Sequence, residues 1–238
     1  MQVVLLRVGI DTGAGGIHGP LFKDGSFEYI PIPDGWNMDP RTYGNTKGRH
    51  GRSLVDYFLG SRRAKVFKQA IHFDPEFTTY TYGDPTLGPK SSLRKLVEGD
   101  LLAFYGGLEG WGFQCSPALY LIGYFEVLRA GLAPSFTSSE MRRLFGNNFH
   151  VKHRKILEDQ RERLVLVKGG VGSRLLQKAV RISSLGKNSD GRPLHRLSRK
   201  MQEIFGDFDG RTSIERSPPR WVFPEFTARA AKFVRSLM

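Results

Sequence analysis

The chain reads as an α+β protein with a mixed, largely antiparallel sheet and peripheral helices. Two observations predict this. Strand-like and helix-like segments are interspersed without the regular β–α–β succession that builds parallel sheets. The clearest strand, residues 119–128, is rich in aromatic and β-branched residues, which suits a central position. No Pro/Gly/Ser-rich linker divides the 238 residues, so one domain over residues 1–238 is expected.

Each element has a local reason. Residues 3–8 are an apolar run and form the first strand. Asp24-Gly25 between apolar flanks signals a hairpin leading into a second strand, residues 27–32. Residues 37–52 are polar and rich in Gly and Arg, which predicts a loop. Residues 53–59 form a short helix with Ser53 as N-cap. Residues 80–90 are a Gly/Pro-rich connection, and residues 92–97 a helical turn. Gly99-Asp100 then opens the strand 101–105, which pairs with 119–128. Residues 138–145 are a helix starting at a Ser138 capping signal. Residues 164–167 are a strand, and residues 173–180 a helix entered through Gly169-Gly170-Val171-Gly172. Residues 187–193 are a loop, and residues 197–205 and 227–237 are the remaining helices. The last is amphipathic, with Ala230, Phe233, Val234 and Leu237 on one side.

Bulk properties narrow the function classes. No apolar run approaches the ~18 residues a membrane span needs, and residues 3–6 are too short for the core of a signal peptide. The single cysteine, Cys115, excludes an intramolecular disulfide and a Cys-rich zinc site, and a reduced cytoplasmic setting is expected. The net charge of +13 is unevenly placed. Residues 1–138 hold 14 Lys/Arg against 13 Asp/Glu, whereas residues 139–238 hold 22 against 10. A basic half of this kind attracts polyanions and gains from counterion release. DNA, RNA or a nucleotide is the expected partner, and a membrane is not.

The first thirty-four residues concentrate chemistry. Arg7 and Asp11 lie four apart around a strand end, so both can face one side. A carboxylate at a glycine-rich turn can orient a ribose hydroxyl, hold a metal or act as a base. It can equally bond its own loop, as Asx turns do. Gly15 and Gly16 would let a sugar or base approach the backbone. The dinucleotide fingerprint fails, because His18 stands where a third Gly is needed and Pro20 follows instead of a helix. The strand–Asp–Gly pattern also resembles the first phosphate motif of sugar kinases of the actin-like ATPase fold. Their second phosphate and adenosine motifs are not evident here.

Further along, His72-Phe73-Asp74-Pro75 puts an imidazole and a carboxylate on one face of an extended segment. They form a candidate acid/base pair or part of a metal site; the alternative is a His packed under a turn. Lys168 and Arg174 flank a glycine-rich run at a predicted helix N-terminus, where exposed N–H groups bind phosphate. It is not a Walker A motif. His150 and His153 have metal-ligand spacing, but Lys152, Arg154 and Lys155 surround them and no further ligand is evident. That stretch reads as part of a polyanion-binding face, and no metal site is predicted. Arg216 and Arg220 beside Trp221 suit phosphate contact and base stacking; the alternative, which the segment favours, is a Trp buried against the final helix. Gly99-Asp100 resembles a pair found at this place in small PUA and ASCH barrels, so a small PUA-like β-barrel is the alternative fold.

Several of these motifs together resemble one family, the third of the nucleotide modification associated domains. The match runs through Arg7-Val8-Gly9-Ile10-Asp11, Gly15-Gly16, Pro20-Leu21-Phe22, Asp24-Gly25, Ile30-Pro31-Ile32-Pro33-Asp34, His72-Phe73-Asp74-Pro75 and Gly99-Asp100-Leu101-Leu102-Ala103-Phe104. It covers roughly residues 5–128. Val8 and Thr12 depart from the family's usual basic residue and Ser. The resemblance implies a role near nucleotide or nucleic-acid modification, catalytic or base-recognising, and draws Asp34 in as a binding residue. The expected centre comprises Asp11, His72 and Asp74 as catalytic candidates. Arg7, Gly15, Gly16, Asp34, Lys168, Arg174 and Arg220 are the candidates for binding. No cofactor is named by the sequence. The rival reading is a non-catalytic PUA-like reader of a modified base. A small-molecule kinase is the third.

Overall fold

The structure, a computed structural model, describes residues 1–13, 15–215 and 218–237. Its frame is an eight-stranded mixed sheet whose spine is a fifteen-residue strand. The strands are β1 (Val3–Arg7), β2 (Gly19–Leu21), β3 (Ile32–Pro33), β4 (Ile71–His72), β5 (Thr81–Asp84) and β6 (Leu101–Gly110). The later ones are β7 (Ala118–Leu132), β8 (Val165–Gly169), β9 (Arg174–Arg181), β10 (Ser183–Lys187), β11 (Pro193–Leu197) and β12 (Arg220–Trp221). The main path runs β12-β1-β6-β7-β8-β5, with β2 added to β6 and β9 to β7. β1 and β2 run parallel to β6, and the other pairings are antiparallel. Among the described strands no pairing joins β12 to β5, so the path is open rather than a closed barrel.

Burial explains why β6 and β7 hold the centre. Leu101, Leu102, Phe104 and Tyr105 of β6 and Leu121, Ile122, Tyr124 and Phe125 of β7 are all buried. Strands covered on both faces read as apolar runs rather than as alternating patterns. A bulge between Phe104 and Tyr105 lets the two strands stay paired over their length. Strands from the basic half, β8, β9 and β12, hydrogen-bond to β7 and β1 of the near-neutral half. Two smaller apolar clusters flank the main core. One gathers Ile10, Ile30, Tyr43, Phe58 and Ile71, and the other gathers Phe136, Met141, Phe145 and Leu166.

Among the described residues six α-helices surround the sheet: α1 (Ser61–Val66), α2 (Ser138–Phe145), α3 (Phe149–Lys152), α4 (Arg154–Gln160), α5 (Arg199–Phe205) and α6 (Pro224–Arg235). Short 3-10 turns occupy Leu54–Tyr57, Pro89–Lys95 and Ala133–Ser135. No described helix is long and apolar enough to cross a membrane.

Local expectations hold where local chemistry decides. Residues 101–105 and 119–128 are strand and paired as expected, the second extending to 132. Several details differ, among them residues 81–84, which lie in the expected connection 80–90 but form β5, and Ser53, which makes no side-chain capping bond ahead of the 3-10 turn. The cap of α2 is Thr137, one residue earlier than Ser138, in a full capping box with Glu140. Residues 27–32 are mostly irregular, because β3 begins only at Ile32 and pairs with the distant β4. Helix α6 starts at Pro224, whose fixed φ and missing N–H suit the first turn. The largest difference is residues 173–180, expected as a helix. They form β9, because Leu175 and Val180 find partners at Gly123 and Leu121 on the free edge of β7. Tertiary pairing there outweighs a helix propensity worth only tenths of a kcal/mol per residue.

Candidate active site

A cleft of about 840 Å³ opens beside the end of β1 and the start of α3. Its lining includes Arg7, Asp11, His72, Asp74, His150 and Glu215. Asp11, His72 and Asp74, separate in sequence, therefore face one space.

The Arg7/Asp11 corner forms as the spacing predicts. Arg7 ends β1, and its Nη2 lies 2.9 Å from Asp11 Oδ2. The other carboxylate oxygen accepts from the Gly13 N–H at 2.8 Å. Asp11 thus makes both the Asx-type turn and the ion pair, and the two readings of this residue coexist. Arg7 Nε is buried and has no hydrogen-bond partner. A buried guanidinium donor left unbonded is costly. A second hollow of about 380 Å³ shares Arg7, Asp11 and Glu215 and adds His18 and His195. Burial pushes the His195 imidazole below its ordinary value, with the Glu215 carboxylate opposing.

The second cluster is built by β4, β5 and α3 together. Asp74 is buried, and both of its oxygens accept from the Gly83 N–H of β5, at 3.0 and 2.9 Å. Gly83 is required here by space: a Cβ would sit 2.8 Å from His150 Cδ2 and 2.9 Å from Asn148 Oδ1. Asn148 caps α3 by accepting from the His150 N–H at 3.0 Å, and its own amide reaches Thr81 Oγ1. These bonds deliver His150 Nε2 to 3.2 Å from Asp74 Oδ2, while His72 Nε2 lies 3.7 Å from the same oxygen. Phe149 packs on the His72 ring with centroids 3.9 Å apart. His150 Nδ1 lies 2.6 Å from Gln160 Oε1, and an amide oxygen only accepts, so Nδ1 is the donor in this bond. One ring nitrogen each of His72 and His150 and a carboxylate oxygen of Asp74 all lie within 4.8 Å of one another.

Charged neighbours are largely spent on each other. Lys90 Nζ lies 2.7 Å from Asp84 Oδ2 at the cleft wall. Burial pushes the Asp84 carboxyl up, but the Lys90 ammonium and the Thr86 bonds outweigh it and hold the group below its usual value. Burial, together with Asp84 and Asp74, pushes the Tyr82 hydroxyl well above its ordinary value, so it stays protonated.

The remaining expected site residues lie elsewhere. Gly15 packs against Ile10, Gly16 receives Arg62 on its carbonyl, and neither lines the cleft. Asp34 is buried and accepts from the N–H groups of Trp36, Met38 and Asp39, so its carboxylate serves its own loop. The helix N-terminus on which a phosphate site was expected does not form, because Ser173 leads into a strand and accepts from the Glu126 N–H. Lys168 donates to the Thr79 carbonyl, and Arg174 lies over Tyr124. Arg220 donates to the Ser213 carbonyl, while Arg216 lies outside the described residues. His150 is the residue that sequence reasoning placed wrongly. It is 3% exposed rather than on a polyanion-binding face, and it completes the cluster begun by His72 and Asp74. An available signal was Asn148-Phe149, a capping residue followed by an aromatic, which marks a turn docked into the core.

Residues 2–236, essentially the whole chain, match a family model described as nucleotide modification associated domain 3. No curated protein and no solved structure matches the chain.

Proposed function

The chain belongs to the nucleotide modification associated domain 3 family, and from that premise we propose that its cleft binds a nucleotide, free or within DNA or RNA, and modifies it. Family membership supports a role connected with nucleotide modification in general terms. The single observation that carries the finer reading is the convergence of Arg7, Asp11, His72, Asp74 and His150 on one cleft. Acid/base groups, an oriented carboxylate and a guanidinium are the parts that proton transfer at a bound base or sugar needs. In this reading Arg7 engages a phosphate or base oxygen, Asp11 orients a hydroxyl, and the His72–Asp74 pair moves a proton. The basic C-terminal half holds the polyanion by charge. Cys115, a free thiol, supports a reducing, cytoplasmic setting.

The test is direct. Fluorescence anisotropy with single- and double-stranded DNA, RNA and nucleoside phosphates is run across a salt series, followed by mass spectrometry of the recovered nucleosides. Salt-sensitive binding, with a mass change lost in Asp11→Asn and His72→Gln, is the expected result. Absence of binding to every probe at low salt overturns the reading. A PUA-like reader of a modified base is the alternative, favoured by the half-exposed Trp36 at the cleft. It predicts binding that survives His72→Gln and yields no product.

A further inference from the structure

We propose that His72, Asp74 and His150 form a binding site for a divalent first-row transition-metal ion. The idea deepens the reading of the cleft as a reaction centre, but it is tested without any nucleotide and so stands or falls apart from it.

Three features carry it. First, the donor spacing is right. Metal–nitrogen and metal–oxygen bonds of about 2.0–2.2 Å put tetrahedral ligand atoms about 3.3–3.6 Å apart. His150 Nε2 and His72 Nε2 lie 3.2 and 3.7 Å from Asp74 Oδ2, on either side of that range. All three donor atoms fit within 4.8 Å of one another. Second, both Nε2 atoms are buried and lack any hydrogen-bond partner. Gln160 Oε1 engages the His150 Nδ1, so Nε2 is the ring atom that faces the Asp74 carboxylate. Two ring nitrogens and a carboxylate oxygen gathered in a buried place are the donor set that a cation would join. Third, the surrounding contacts are those of a built site. Gly83 anchors Asp74, Phe149 orients His72, and Gln160 holds His150 from behind, as outer-shell partners of metal-ligating histidines do.

The basic residues near His150 in sequence do not oppose this. Lys152 is bonded to Asp39, and Arg154 pairs with Glu158 at 2.7 Å. Two imidazoles and one carboxylate favour zinc, iron, cobalt or manganese over magnesium or calcium, which prefer oxygen. Three protein ligands facing a cleft leave coordination positions open, the arrangement of catalytic rather than structural sites.

Chelator-treated full-length protein is titrated with Co2+, followed by visible absorption, with metal content measured by elemental analysis after Zn2+ loading. One ion per chain and a Co2+ spectrum abolished by Zn2+ but not by Mg2+ are expected. His72→Gln and His150→Gln should each weaken binding by at least about 100-fold, and Gln160→Leu by about 10-fold. Lys152→Met should leave affinity unchanged. Where a variant fails to fold, X-ray absorption of the Zn2+-loaded wild type decides by counting imidazole ligands. Two imidazoles support the site. No imidazole, or a sulfur ligand, overturns it. So does a folded wild-type protein that takes up no stoichiometric metal, for then the cluster is a His–Asp–His hydrogen-bonding group alone.

Discussion

Gly83→Ala tests how the cluster is held. The new Cβ would lie 2.8 Å from His150 Cδ2, 2.9 Å from Asn148 Oδ1 and 3.3 Å from Leu166 Cδ2. None of these is the loose end of an exposed chain. His150 and Leu166 are buried, and Asn148 is held between Thr81 and the His150 N–H. The substitution must therefore push α3 away from β5 or distort Asp74. Overpacking of this kind costs about 1–3 kcal/mol. For a chain of this size that lowers Tm by about 2–4 °C per kcal/mol. Gly88→Ala is the control, because its Cβ would meet only Thr86 Cγ2 at 3.7 Å. Urea unfolding at neutral pH reads both variants, and Co2+ affinity reads the site. Gly83→Ala should lose both stability and metal affinity, while Gly88→Ala stays within about 0.5 kcal/mol of wild type. Equal stability of the two variants would refute the claim that β5 and α3 are in contact through Gly83.

Three further outcomes follow from the same structure. Asp84 has its carboxyl held below the usual value by Lys90 and Thr86 against the pull of burial. Its stabilising contribution is therefore present above the ordinary Asp value of about 3.9 and is lost as pH falls through the lowered folded value. Asp84→Asn should reduce stability at neutral pH and flatten the acid limb, and parallel unfolding midpoints between pH 7 and pH 3 would contradict this. Thr137→Ala removes the capping box of α2 and should cost about 1 kcal/mol in urea unfolding, whereas Ser138→Ala should cost less than about 0.5 kcal/mol. Arg7→Gln should weaken nucleotide or nucleic-acid binding by roughly 10-fold, the value of one charge-assisted bond. Arg174→Gln, away from the cleft over Tyr124, should change little beyond the salt slope when anisotropy is measured.

By itself the sequence determined what local chemistry controls. The apolar first strand, the paired strands at 101–105 and 119–128 and the helix at 138–145 are written in composition, turn residues and capping pattern. The Arg7/Asp11 corner was legible for the same reason, since four residues at a strand end can meet without help from the rest of the chain. So were the nearness of His72 to Asp74 and the family resemblance that residues 2–236 bear out. Tertiary structure alone decided the rest. Residues 174–181 became strand because β7 offered an unpaired edge, a partner no window on the sequence contains. Asp34 and Lys168 were taken up by nearby backbone groups, so their charge types said nothing of their use. His150 joined Asp74 because α3 packs on β5 across Gly83, turning a histidine with basic neighbours into the third member of a buried cluster. Side-chain chemistry is local, but which side chains share a space is set by long-range packing.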